Sequence, residues 1–266
     1  HHTKEASVTA VTGQGLRCMR ASQLDAVFSR GVLLDASAIR TLQDMGRAKL
    51  AGVRIAGVSE QFDTSRGPEE LTDPAFAGGP LRYTWTRRLG RIAGFALEDG
   101  AHPVSRIVDP QGESVSHGVV IYENTFGGRV ASFPYFFGDP ADVEANGPNG
   151  FFYSPYRRQQ VHALVRWLGR GPPPLVVHTQ SWVLPHRAEV DGRIGLAAMN
   201  VNADDWEGVH MTCSLQAPPC RIQWLDINGQ RHALPASAWS YDDRELKLDI
   251  PGRVPPYRTI AVIVSL

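Results

Sequence analysis

The run Gly171-Pro172-Pro173-Pro174 separates two stretches of chain with different folding grammar, and this break constrains the fold more than any other feature. Three consecutive prolines fix φ and favour a stiff, extended spacer, so neither a helix nor a central strand continues through them. Residues 1–171 are therefore expected to form one domain and residues 172–266 another. A length of 266 residues allows two modest hydrophobic cores.

The first stretch alternates strand and helix. Val8 to Thr12 is β-branched and stops at Gly13-Gln14-Gly15, which predicts a strand followed by a tight turn. Leu24, Val27 and Phe28 recur on one helical face. Gly31 to Leu34 is a short apolar run suited to a strand covered on both faces. Asp35 is placed to cap a helix carrying Ile39, Leu42 and Met45, which Gly46 can end. This is α/β grammar. Gly57 to Gly79 contains Gly67-Pro68, Asp73-Pro74 and Gly78-Gly79 and reads as a long loop. Strands are then expected at Arg82 to Thr86, Gly94 to Leu97, His102 to Val108, Gly118 to Tyr122 and Arg129 to Phe133, the last two joined as a hairpin. Ser154-Pro155 opens a helix whose apolar face holds Val161, Leu164, Val165 and Leu168, with Gly169 as its stop.

Beyond the prolines nearly everything reads as strand and turn, including Leu175 to His178, Ser181 to His186, Ile194 to Asn200, Val209 to Leu215, Arg221 to Leu225, Leu246 to Ile250 and Thr259 to Val264. Asp191-Gly192 and Asn228-Gly229 supply tight turns. An antiparallel β-sandwich is the architecture such spacing favours. The expected class is α/β plus all-β.

Formal charge is +0, from 27 Lys and Arg against 27 Asp and Glu, which leaves no electrostatic footprint for nucleic acid or an anionic membrane. No apolar run approaches the roughly 18 residues that would span a bilayer. His1-His2-Thr3-Lys4 reads as the remnant of an affinity tag, so the missing leader says nothing about compartment; a periplasmic or extracellular setting is slightly favoured over a cytoplasmic one. Cys213 and Cys220 flank a turn that can bring two paired strands, and hence two sulfurs, into disulfide range, while Cys18 reads as a buried thiol.

Chemistry-bearing patterns are sparse. A cysteine nucleophile needs a sharp strand-to-helix turn and a basic partner, and Cys18 lies off the turn at Gly13-Gln14-Gly15. Ser154 and Ser181 lack the glycine-flanked elbow of a serine hydrolase. Glycoside hydrolysis uses two carboxylates about 5 to 10 Å apart. Glu123 and Asp139 follow expected strands, but each reads better as a solvated or turn-capping group. The histidines show no metal-ligand spacing, so neither a metal nor a cofactor is expected. Sugar binding remains, because an aromatic face stacks on the C–H face of a pyranose. Trp206, within Asn200-Val201-Asn202-Ala203-Asp204-Asp205, is the first candidate platform, followed by Trp182 and Trp239; each is weighed against an aromatic that closes the sandwich core. Trp85 and Trp167 read as core or interface residues, with Trp167 offset from its helix's apolar face.

The segments Arg30 to Ala38, Leu42 to Gly46 and Leu50 to Val53, with Val120-Ile121-Tyr122-Glu123-Asn124, Gly127 to Val130 and Tyr153 to Gln159, resemble an amidotransferase-like (flavodoxin-like) domain found in large bacterial glycoside hydrolases. Gly195 to Asn200, Asp204-Asp205-Trp206, Leu225-Asp226, Asn228-Gly229 and Pro255-Pro256-Tyr257 resemble the small C-terminal β-domain of the same proteins. The arrangement is similar to that of family 42 β-galactosidases, in which a catalytic barrel precedes an amidotransferase-like domain that helps subunits associate. A barrel needs about 200 residues or more, which do not fit beside the elements above. The resemblance therefore implies an N-terminally truncated amidotransferase-like domain and a β-sandwich. It implies a non-catalytic accessory role, a missing N-terminal catalytic domain or second subunit as partner, and a homo-oligomer. Two rival expectations stand: a carbohydrate-binding module that takes an oligosaccharide on the sandwich, and an independent hydrolase with a dispersed carboxylate site.

Overall fold

The computed structural model describes residues 8–11, 13–59, 68–77, 83–84, 91–137, 154–179 and 182–266. Two compact units divide the chain, His1–Gly171 and Pro172–Leu266.

The first unit is built on a five-stranded mixed sheet. Gly31–Leu34 lies between Val8–Val11 and Arg129–Ser132, parallel to both; Val120–Glu123 and His102–Pro103 then continue the sheet antiparallel. The central strand is apolar because it is covered on both faces: Val32 and Leu34 are buried, and helices Ala21–Phe28 and Ala36–Asp44 bring Leu24, Phe28, Ile39 and Leu42 into the same core. Asp35 starts the second helix as its sequence position predicts, with Oδ1 accepting the Ala38 N–H at 2.8 Å. At the other end Gly46 takes φ 68°, and Arg47 N–H reaches back to the Leu42 carbonyl, a Schellman closure.

Helix Pro155–Leu168 follows its Ser154 N-cap and packs Leu164 and Leu168 with Phe76, Ile107 and Phe133 in a further core. Its last turn presses on Gly31, where a β-carbon would sit 2.6 Å from the Leu168 carbonyl oxygen, so only glycine fits. The helix ends at Leu168 with Gly169 as its C-cap, as its sequence position predicts; Gly169 is still right-handed, and Arg170 takes the left-handed turn at φ 56°.

Three local expectations need correction. Gly13-Gln14-Gly15 opens a short helix, Gly13–Arg17, rather than a tight turn, and Gly13 lies against the Ser37 carbonyl. The stretch read as a long loop contains strand Glu69–Leu71 and the short helix Pro74–Ala77, and its opening residues belong to strand Val53–Ser59. These strands pair with Ser105–Val108 and Ile92–Leu97, so long-range partners define them, and local periodicity carries no sign of it. Cys18 is exposed rather than buried, because it follows the last residue of the short helix.

The second unit is a sandwich of two antiparallel sheets. One orders Leu175–His178, Trp206–Ser214, Glu245–Val254 and Trp239–Asp242; the other orders Val183–Val190, Arg193–Asn200, Thr259–Ser265, Arg221–Leu225 and Arg231–Ala233. Alternate residues Ile194, Leu196 and Ala198 face Val209, Met211 and Cys213 across the core. Cys213 and Cys220 are both free. The segment between them crosses from one sheet to the other instead of closing a hairpin, which removes the basis for a bridge. Burial pushes the Cys213 thiol up. Among the described residues no helix is long and apolar enough to cross a membrane.

Candidate functional site

Open α/β sheets bind ligands outside the carboxyl ends of their parallel strands. Here that edge is filled by the chain itself. Asp35 is spent on its cap and on the Ser37 hydroxyl at 2.5 Å, while Ala36 N–H donates to the Tyr135 carbonyl and Phe133 N–H to that of Leu34. Phe136 is buried there with the guanidinium groups of Arg40 and Arg91 each 4.8 Å from its ring centre. No cysteine or serine follows strand Gly31–Leu34 or strand Arg129–Ser132 directly; the residues there are Asp35 and Phe133.

A buried ionic cluster centres on Glu69, on a strand the sequence did not disclose. Glu69 is 2% exposed, and the Arg157 guanidinium that pairs with it is 0% exposed. Oε1 accepts from Ser105 Oγ at 2.5 Å and from Arg157 Nη1 at 3.2 Å; Oε2 accepts from Tyr135 Oη and Arg157 Nη2. Gln160 Oε1 accepts from Arg157 Nη1 at 2.5 Å, and Gln160 Nε2 is buried with no hydrogen-bond partner. Burial alone drives a carboxyl upward, but the Arg157 charge and the hydrogen bonds from Arg157, Ser105 and Tyr135 outweigh it and hold Glu69 below its ordinary value. Burial, reinforced by the Glu69 charge, pushes the Tyr135 phenol well up. None of the partners is a second acid, so the cluster lacks the carboxylate pair that glycosyl transfer requires. It is a strut: it joins strand Glu69–Leu71, Ser105 of the neighbouring strand, the segment after Arg129–Ser132 and helix Pro155–Leu168. Gly118 belongs to it, because a β-carbon there would collide with Ser105 Oγ.

Of the candidate platforms, Trp206 is 3% exposed and packs in the sandwich core, which corrects the expectation of an exposed face. Its polar neighbours lie in the bend before the strand, and position along the strand turns the ring inward. Trp239 is partly buried against the same core. Trp182 is 42% exposed. Glu123 is a surface group paired with Arg129, Nε to Oε1 at 2.6 Å, and the hydrogen bond from Arg129 lowers its carboxyl. Trp167 packs within its own unit, edge-on to Phe76 at 6.3 Å and beneath the Arg129 guanidinium. Trp85, Asp139 and Ser181 lie outside the described residues. Among the described residues no three His, Cys, Asp or Glu side chains gather in a way that would hold a metal ion.

The surroundings of Trp182 are built rather than incidental. Val201 N–H donates to the Trp182 carbonyl at 2.9 Å, Asn202 Nδ2 donates to it at 3.1 Å, and Tyr257 N–H donates to the Asn200 carbonyl at 2.8 Å. Asn200 is wholly buried and joins these segments: Nδ2 donates to the Val254 and Asp204 carbonyls, and Oδ1 accepts the Asn202 N–H. Tyr257 occupies the third position of the turn closed by Arg258 N–H to the Pro255 carbonyl, with φ 58°. A bulky residue at that angle costs roughly 1 to 3 kcal/mol relative to a relaxed backbone. Packing does not offset this strain, since the Tyr257 side chain is 66% exposed. The sequence held one sign of it: two prolines directly before an aromatic force a turn and leave the ring little core to enter.

An α/β unit joined to a β-sandwich unit is a fold that also occurs within solved glycoside hydrolases. The particular solved structures it is similar to include α-L-fucosidase isoenzyme 2 from Paenibacillus thiaminolyticus, with a TM-score of 0.62 and 11% identity over 97% of this chain and 40% of that one. The β-galactosidase from Bacillus circulans sp. alkalophilus aligns at TM-score 0.50 and 9% identity, covering 97% of this chain and 32% of that one. The β-galactosidase from Rahnella sp. R3 aligns at TM-score 0.50 and 13% identity, covering 98% and 31%. The chain thus spans well under half the length of these proteins. No protein-family model matches the chain, and no curated protein matches it in sequence.

Proposed function

We infer that this chain is a non-catalytic accessory region of a carbohydrate-active enzyme, composed of an amidotransferase-like α/β domain at 1–171 and a β-sandwich at 172–266. One observation carries the inference: nearly the whole chain superposes on 40% or less of solved glycoside hydrolases, which supports reading it as part of such an enzyme. The filled carboxyl edge of the sheet supports a scaffolding role, and so do the two buried carboxylates among the described residues, Asp35 and Glu69, one engaged as a helix cap and the other in the Arg157 cluster. The partner of the α/β domain is a catalytic domain or a second copy of the chain.

A domain that acts by association exposes the surface it associates through. Light scattering on the purified chain is expected to give a mass of a dimer or larger at micromolar concentration. A clean monomer over a hundredfold range of concentration would remove the self-association part of this account.

A further inference from the structure

We propose that the end of the sandwich carrying Trp182, Asn202 and Tyr257 is a binding platform for a neutral oligosaccharide. The proposal rests on the reading of the chain as part of a carbohydrate-active enzyme, but it assigns a site that the scaffolding role does not need.

Two independent observations meet there. Trp182 and Tyr257 are exposed aromatics, at 42% and 66%, anchored through backbone hydrogen bonds to adjacent residues of one segment, Val201 and Asn200. They lie on opposite sides of that segment, so their backbones stand about two inter-strand spacings apart, roughly 10 Å. A ligand touching both rings is longer than a monosaccharide. The second observation is the strained backbone of Tyr257. Glycine or asparagine relieves such a turn position, and a tyrosine there gains no burial in exchange. What it offers is a fixed ring pointing into solvent, and rings of this kind bind the C–H faces of sugars.

The polar groups suit hydroxyls rather than charges. Asn202 Nδ2 donates to the Trp182 carbonyl and to Asn200 Oδ1, which leaves Asn202 Oδ1 to accept from a sugar hydroxyl, and Asn200 holds the whole arrangement from within, using both of its N–H donors and its carbonyl oxygen. Asp205, in the bend that follows Asn202, is paired with Arg253. An anionic ligand would find no uncompensated field at that pair.

The full 266-residue chain should be titrated with cellotetraose and with β-1,4-linked galactotetraose, following heat and tryptophan fluorescence. Saturable binding of at least one tetraose is expected, with Kd of roughly 0.1 to 1 mM, and weaker binding of the matching monosaccharide. Trp182→Ala and Tyr257→Gly should each weaken it about tenfold or more, while Trp239→Ala leaves it unchanged. Tyr257→Gly should also keep or raise the thermal midpoint, because it relieves strain, so lost binding there cannot be ascribed to unfolding. No saturable signal from either tetraose at about 10 mM, well above the expected Kd, overturns the proposal. So does binding that survives both substitutions. Hydrolysis of a bound tetraose by the chain would instead overturn the non-catalytic reading and leave the platform standing.

Discussion

Arg157→Ala is expected to destabilise the first unit by about 3 to 5 kcal/mol, because it strands the buried Glu69 carboxylate without its counter-charge. For a unit of this size that corresponds to a fall of roughly 6 to 20 °C in thermal midpoint. Replacing both Glu69 and Arg157 with methionine should recover much of the loss, since removing a buried pair together avoids the stranded charge. Acid gives the complementary test. The folded-state value of Glu69 lies below its unfolded value. Its contribution is therefore complete above the ordinary carboxyl value of about 4.3 and is lost as pH falls through the lower, folded value. Denaturant melts between pH 6 and 2 should show that loss, and Glu69→Gln should make the acid limb shallower. An Arg157→Ala chain as stable as the parent would show that the cluster is not a strut.

Trp206→Ala is expected to cost about 3 to 5 kcal/mol in the second unit, from the transfer of a large side chain and the cavity it leaves. In a sandwich of fewer than 100 residues this lowers the midpoint by at least about 12 °C. Trp182→Ala, on the surface, should stay within about 0.5 kcal/mol of the parent. Amide exchange read on peptides of the two sheets separates these outcomes. Rapid exchange throughout the sandwich is expected for Trp206→Ala alone; equal protection in both variants would contradict the placement of Trp206 in the core.

Where local chemistry decides the structure, the sequence was informative. Asp35 as a cap, Gly46 as a helix stop, Ser154-Pro155 as a helix start and the hairpin around Asn124 each follow from one or two residues acting over a few positions. In that hairpin the Asn124 side chain accepts the N–H groups of Phe126 and Gly128 while its Nδ2 donates to the Phe28 carbonyl. The alternation of Ile194, Leu196 and Ala198 likewise marks a strand with one buried face.

What stayed hidden depends on distant partners. Glu69 sits in a short strand between Gly- and Pro-rich segments, and its role exists only because helix Pro155–Leu168 delivers Arg157 from 88 residues away. On that helix the buried face begins with Arg157 and Gln160 before Leu164 and Leu168. A charged residue at a helix start reads as solvated, so the polar half of the stripe carries no signature of burial. Trp206 is ambiguous in the sequence for a related reason: its polar neighbours describe the bend before it, not the face its own ring takes, and the structure realises the core alternative rather than the exposed platform. Tyr257 could have been noticed from Pro255-Pro256, but its strain becomes visible only in the backbone angle.

On the proposed function, this chain scaffolds a carbohydrate-active enzyme and does not itself cleave glycosides. Incubating the purified chain with a panel of aryl glycosides that includes an α-L-fucoside and a β-D-galactoside tests it most directly. The account predicts release of aryl alcohol at the rate of buffer alone. Turnover at an enzymatic rate, abolished when one carboxylate of this chain is changed to its amide, would contradict it.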